Sequence, residues 1–240
     1  LLELQTFGTV GLRSRDEGES VVTIVQPKRL ALLVYLATAP RRRCRRRDQV
    51  VAYLWPDLDA EHARGSLSQA LRYLRRSLGD DVLVTQGEEE IGISGSHLWC
   101  DAAAFTADRE SGDLEKALAL YRGPFLDGFF VADVAPEFEQ WMAEGRSRFR
   151  EEAAEATGRL SAAAEERGQI DAAIDWARRG VAIAPGDERI VTRLIGLLDK
   201  AGDRAAALRA YEALRERLKA EFNIAPSHET QALLARILGR

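Results

Sequence analysis

The 240 residues contain few of the groups that carry catalysis or bind metals: two cysteines and three histidines. Cys44 and Cys100 are far apart, and neither has a Cys or His at metal-ligand spacing. No metal site is expected, and the pair reads as two reduced thiols, not a disulfide. His62, His97 and His228 are scattered, and none sits with a Cys, Asp or Glu in a recognisable catalytic or zinc pattern. Gly8-Thr9-Val10-Gly11 lacks the Gly-Lys-Ser/Thr ending of a phosphate loop, and no Gly-x-Ser-x-Gly elbow occurs. The aspartates fall in turns and helix caps, and a receiver-type phosphorylatable aspartate at a strand end is missing. These absences argue against an enzyme and against a cofactor. No apolar run approaches the ~20 residues of a membrane helix. The opening Leu1-Leu2-Glu3-Leu4 has no basic region followed by a long apolar stretch, so no signal peptide is expected. The expected setting is the cytoplasm, without membrane contact. Leu1 stands where an initiator methionine would be, which fits a fragment of a longer product.

What is present is a globular composition, 46% hydrophobic and 30% charged, with an uneven charge distribution. The net charge of -4 conceals a basic stretch. Between residues 26 and 78 there are 12 Lys/Arg against 4 Asp/Glu, a local +8, whereas the chain from Asp101 onward is acidic. A local excess of that size is a candidate footprint for a polyanion.

Leu2-Glu3-Leu4-Gln5-Thr6-Phe7 largely alternates apolar and polar residues, the period of a half-buried strand. Val21-Val22-Thr23-Ile24-Val25 is a β-branched run preceded by the turn-like Arg15-Asp16-Glu17-Gly18. Pro27 opens a helix, with Leu30, Leu33, Val34 and Ala37 on one apolar stripe and Pro40 as its stop. Arg41-Arg42-Arg43-Cys44-Arg45-Arg46-Arg47 then places six arginines in seven positions. A second helix is expected over 48–54, stopped by Trp55-Pro56-Asp57, with Trp55 packing beneath the turn. A third is expected over 59–78, with Leu67, Leu71, Leu74 and Leu78 on one stripe and Gly65, Gln69, Arg72, Tyr73 and Arg76 opposite. Val82-Leu83-Val84-Thr85 and Ile91-Gly92-Ile93, flanking Gln86-Gly87-Glu88-Glu89-Glu90, signal a hairpin.

From Asp101 the chain turns to alanine- and leucine-rich helices. Gly168-Gln169-Ile170-Asp171-Ala172-Ala173-Ile174 matches Gly202-Asp203-Arg204-Ala205-Ala206-Ala207-Leu208, 34 residues later. That is the period of a tetratricopeptide repeat. Gly112-Asp113-Leu114-Glu115-Lys116-Ala117-Leu118 is a third copy, out of period. Such units stack into a shared core and leave a groove for a partner. The expected class is mainly α with a small β component. The helical part is expected as tetratricopeptide-like repeats over 98–240.

Leu54-Trp55-Pro56-Asp57 followed by Ala63-Arg64-Gly65-Ser66-Leu67-Ser68-Gln69-Ala70-Leu71-Arg72-Tyr73 resembles the helix 2 to helix 3 stretch of OmpR/PhoB-type winged helices. The variant is that of SARP-type antibiotic-regulatory activators. Tyr121-Arg122-Gly123-Pro124-Phe125-Leu126 and Pro136-Glu137-Phe138-Glu139-Gln140-Trp141 resemble the bacterial transcriptional activator domain that follows it. The resemblance implies a winged helix-turn-helix over 1–97, with a trihelical core, an N-terminal sheet and a C-terminal hairpin wing, its third helix in the DNA major groove, head-to-tail pairs on direct repeats, and contact with RNA polymerase. This chain departs from the pattern at three places: the wing tip is Glu88-Glu89-Glu90, Arg46 stands where a serine usually caps helix 2, and Tyr73 replaces a common arginine.

Arginine forks guanine and glutamine matches adenine in the major groove, while other contacts position the protein on phosphates. The expected base-facing residues are Gln69, Arg72 and Tyr73, with Arg76 at the groove margin. Arg43, Arg45, Arg46, Arg47, Arg64 and Ser68 are the expected phosphate contacts. The expected partners are double-stranded DNA at the nucleoid, RNA polymerase and a second protomer. The competing reading is a repeat-based protein-interaction scaffold whose winged helix makes protein contacts.

Overall fold

A computed structural model describes residues 1–14, 26–39 and 44–239. The strand expected at 21–25, the turn at 15–18, the Pro40 stop and Arg41, Arg42 and Arg43 lie outside the described residues. The described residues divide into two compact units, Leu1–Arg148 and Phe149–Arg240. The fold is mainly α with small sheets, an N-terminal winged helix followed by tetratricopeptide-like helices.

In the first unit, β1 (Leu2–Gln5) pairs antiparallel with β2 (Gly11–Ser14) and parallel with β6 (Leu98–Cys100). Helix α1 (Pro27–Ala37) opens with its proline in the first turn, where the missing N–H costs nothing. Ala31 to Leu36 are all buried, so α1 is enclosed on more than the single stripe that its leucines suggested. The second cover comes from downstream residues: the Tyr35 ring meets those of Phe138 and Trp141, at 5.9 and 4.9 Å between centroids. Next come β3 (Arg45–Arg46), α2 (Arg47–Leu54) and α3 (Ala60–Leu78). A hairpin of β4 (Leu83–Gln86) and β5 (Glu90–Ile93) forms the wing, and β3 adds to the outer side of β5. Trp55, expected beneath the turn, is half-buried.

Helices α4 (Asp101–Ser111) and α5 (Leu114–Leu120) form the first antiparallel pair, and α6 (Pro136–Glu166) runs through the division between the units. The second unit holds α7 (Ile170–Ile183), α8 (Glu188–Lys200), α9 (Arg204–Phe222) and α10 (His228–Leu238). The three glycine motifs fold alike. Gly112, Gly168 and Gly202 all take positive φ. In each copy the following residue donates to the carbonyl five positions back, at 2.9 Å: Asp113 to Asp108, Gln169 to Ala164, Asp203 to Leu198. This closure ends one helix and turns the chain into the next. Small residues then let the paired helices approach, and Ala164, Ala173, Ala177 and Ala207 sit in the core with Ile195, Leu198 and Leu214.

Candidate nucleic-acid interface

Asp59 starts α3 by accepting the amides of Glu61 and His62 on its side chain, each at 3.1 Å. The His62 amide, and then its ring, hold the Asp59 carboxyl below its ordinary value. Ala63, Leu67, Ala70, Leu71 and Leu74 are buried, and Leu78 is half-buried. The other side of the helix stays open: Arg64, Gly65, Ser68, Gln69, Arg72 and Arg76 are all exposed. Nineteen residues at about 1.5 Å each make a rod long enough to cross a major groove. Arg75 and Arg76 also lie in its last turn, where cations complement the helix dipole.

A concave surface of about 490 Å³ runs beside this helix, lined by Arg47, Ser68, Leu71, Arg72, Arg75, Arg76 and Asp80. Four guanidinium groups thus converge, from the start of α2 and the last two turns of α3. The Arg47 Nε is buried and has no hydrogen-bond partner among the described residues. Arg75 and Asp80 were not among the expected residues. Arg75 follows Arg64 and Ser68 at helical spacing, a signal the sequence did carry.

The remaining expected residues are placed differently from one another. Arg46 is exposed and Arg47 half-buried. Arg46 caps α2 without any side-chain hydrogen bond to the helix, since arginine has no acceptor to offer. Arg45 is turned inward, with its guanidinium carbon 4.3 Å from the Tyr35 ring centroid and its Nε donating to the Tyr35 carbonyl at 3.4 Å. Tyr73 is half-buried under Arg29, whose guanidinium carbon lies 3.8 Å from the ring centroid. Arg29 was not foreseen, because nothing local in the sequence links it to α3. Arg43 lies outside the described residues.

The wing returns beside the arginine strand. Arg46 pairs with Glu90, and the Arg47 amide donates to the Glu89 carbonyl at 2.8 Å. Cys44 approaches so closely that a Cβ on Gly92 would stand 2.9 Å from its Sγ. Burial, and then the Glu90 charge, push the Cys44 thiol up, and burial pushes Cys100 up to about 12. Both cysteines are free. Among the described residues there is no group of three or more His, Cys, Asp or Glu that would hold a metal ion. None of the described helices is long and apolar enough to cross a membrane.

The family model of the bacterial transcriptional activator domain matches residues 101–238. The chain belongs to the bacterial transcriptional activator domain family. The resemblance to that domain therefore holds over residues 101–238. Among solved structures it is similar to Mycobacterium tuberculosis EmbR in complex with a low affinity phosphopeptide, with a TM-score of 0.68 and 23% identity. That likeness covers 99% of this chain and 65% of the EmbR chain, so this chain spans less than two thirds of that neighbour. A search of curated proteins found no match.

The first stretch of the activator domain docks on the N-terminal strand. Gly8 donates to the Pro124 carbonyl at 3.0 Å, and Leu126 donates to the Thr6 carbonyl at 2.8 Å. Gly123 lets the two segments approach closely there: a Cβ would lie 3.3 Å from the Gly8 Cα. Arg146 ties down the same loop by donating to the carbonyls of Phe125 and Leu126, at 3.1 and 2.9 Å. The division expected between residues 97 and 98 thus lies inside the first compact unit.

Proposed function

We propose that this activator-domain protein is a sequence-specific DNA-binding transcription regulator, acting as an activator at promoters with tandem sites. The observation that carries this reading is the exposed polar face of α3 beside a concavity lined by Arg47, Arg72, Arg75 and Arg76. The groups suit base edges and phosphates, and an α-helix fits the major groove. Gln69 and Arg72 meet base edges, with Arg76 at the groove margin. Arg46, Arg47, Arg64 and Ser68 contact phosphates, and Arg43 joins them by its place in the arginine run. Tyr73 and Arg45, each stacked within the protein, position the reading helix and the arginine strand.

Residues 1–97 then carry DNA binding. Residues 98–240 hold a second protomer and RNA polymerase. Such a protein works in the cytoplasm, at the nucleoid, and this reading assigns it no catalytic residue.

Selection from a random duplex pool with the purified protein is the test. The expected outcome is a recovered motif in tandem spacing. Each bidentate base contact is worth about 1–3 kcal/mol of discrimination, so a Gln69→Ala, Arg72→Ala double variant should lose most of the sequence preference. Arg64→Ala should weaken all sequences alike and reduce the salt slope by about one. A double variant with unchanged affinity and an unchanged motif would remove α3 from the interface. Absence of any salt-dependent duplex binding would leave the protein-interaction scaffold as the reading.

A further inference from the structure

We propose that Glu88 and Glu89 at the wing tip set an upper limit on DNA affinity without reading sequence. A single protomer then does not stay on a duplex through backbone charge alone. The inference rests on the DNA-binding reading of α3 and concerns the same surface.

Glu88 and Glu89 line a concave surface of about 460 Å³ together with Asp48, Val51 and Leu67 and with Arg47, Arg64 and Ser68. These last three are among the side chains that the DNA-binding reading gives to phosphates. The tip is held there by the backbone: the Arg47 amide donates to the Glu89 carbonyl at 2.8 Å, and Arg46 is paired with Glu90. Moving Glu89 away breaks the bond that closes the ladder against the start of α2. Both glutamates are exposed. A phosphate seated on Arg47, Arg64 and Ser68 therefore meets the carboxylates of Glu88 and Glu89 from the wing side, beside that of Asp48 at the start of α2.

Through water, a carboxylate within a Debye length lowers phosphate affinity about twofold at low salt, and salt screens the effect. Backbone charge supplies essentially all of the non-specific binding of a DNA-binding protein. Trimming that contribution makes stable occupancy depend on the base contacts of Gln69 and Arg72 and on a second protomer. It also keeps the wing tip out of a minor groove, whose phosphates flank it on both sides.

The experiment compares the full chain with a Glu88→Gln, Glu89→Gln variant on random-sequence duplex and on the selected motif, over a range of salt. A control variant, Glu155→Gln, Glu216→Gln, makes the same charge change at exposed positions of the second unit. The wing variant should bind both duplexes about 3- to 10-fold more tightly at low salt, with a steeper salt slope. The ratio between motif and random duplex should stay within about twofold of wild type. Unchanged or weaker binding overturns the proposal, because the carboxylates then oppose no phosphate. A changed preference overturns it too, because the glutamates then read bases. An equal gain in the control overturns it by showing that only net charge matters. If neither wild type nor the wing variant binds duplex, the DNA-binding reading falls and takes this inference with it.

Discussion

The Asp101 carboxylate accepts the backbone amide of Thr6 at 2.8 and 2.9 Å and the Thr6 hydroxyl at 2.6 Å, across 95 residues of chain. It also accepts the amides of Phe7, at 3.0 Å, and Ala102, at 2.8 Å. Asp101 and Thr6 are both buried. One side chain thus starts α4 and terminates the N-terminal strand, just where the activator domain begins. Asp101→Ala leaves several buried donors without an acceptor, at about 1–3 kcal/mol for each unsatisfied group. A loss of about 3–5 kcal/mol is expected, read as the urea midpoint of the first unit through Trp55, Trp99 and Trp141. An unchanged midpoint would show that Thr6 and Phe7 find other partners.

Tyr73 supports α3 through its ring. Arg29 covers that ring, a contact worth about 0.5–1 kcal/mol at an exposed site. Tyr73→Phe should therefore keep both stability and sequence preference, whereas Arg29→Ala should cost about 0.5–1 kcal/mol. If Tyr73→Phe loses discrimination at one base position, its hydroxyl touches that base and the positioning role is wrong.

The sequence carried what repeats locally and missed what is closed by distant partners. The leucine stripe of α3 and its open polar side were legible because helical period alone separates them. The glycine motifs were legible because each copy ends a helix by the same local hydrogen bonds. Burial of α1 on a second side was not legible, since Phe138 and Trp141 lie some hundred positions downstream. Arg45 illustrates the same limit. Nothing within the basic run points to a ring partner, and only the fold shows the Arg45 guanidinium over the Tyr35 ring.

Acid should weaken the second unit before its core is touched. The Lys200 ammonium, hydrogen-bonded to Glu165, holds that carboxyl below its ordinary value, and Arg193 adds to it with a bond of 2.7 Å. Burial pushes Glu188 up, but hydrogen bonds from Thr230 and Ser227 outweigh it and leave the carboxyl lowered. Both groups are depressed on folding, so their stabilisation is complete above the unfolded carboxylate value. It is lost as pH falls from about 4.3 toward the folded values. Glu165→Gln should lower stability by on the order of 1 kcal/mol at pH 7 and flatten the decline below about pH 4.3. Helical circular dichroism during melts from pH 7 to 3 measures both. An acid limb as steep in Glu165→Gln as in wild type would exclude this ion pair as its source.

Gly180 shows why α7 lies as close to its neighbours as it does. A Cβ there would stand 2.6 Å from the Thr157 Oγ1 and 3.0 Å from the Ile190 Cγ2. Thr157 is fully buried and donates to the Ala154 carbonyl at 2.7 Å, so its hydroxyl is not free to swing away. Alanine gains about 1 kcal/mol over glycine in helix propensity, but overpacking a tight core costs about 1–3 kcal/mol. Gly180→Ala should therefore be destabilising by up to about 2 kcal/mol. Gly158, also helical but with nothing within 4 Å of its Cβ position, gives the opposite sign: Gly158→Ala should stabilise by about 0.5–1 kcal/mol. Combining Gly180→Ala with Thr157→Ala removes the clashing hydroxyl, so thermal melts of the double variant should recover most of the loss. Equal and additive costs in the two single variants would place the strain somewhere other than this contact.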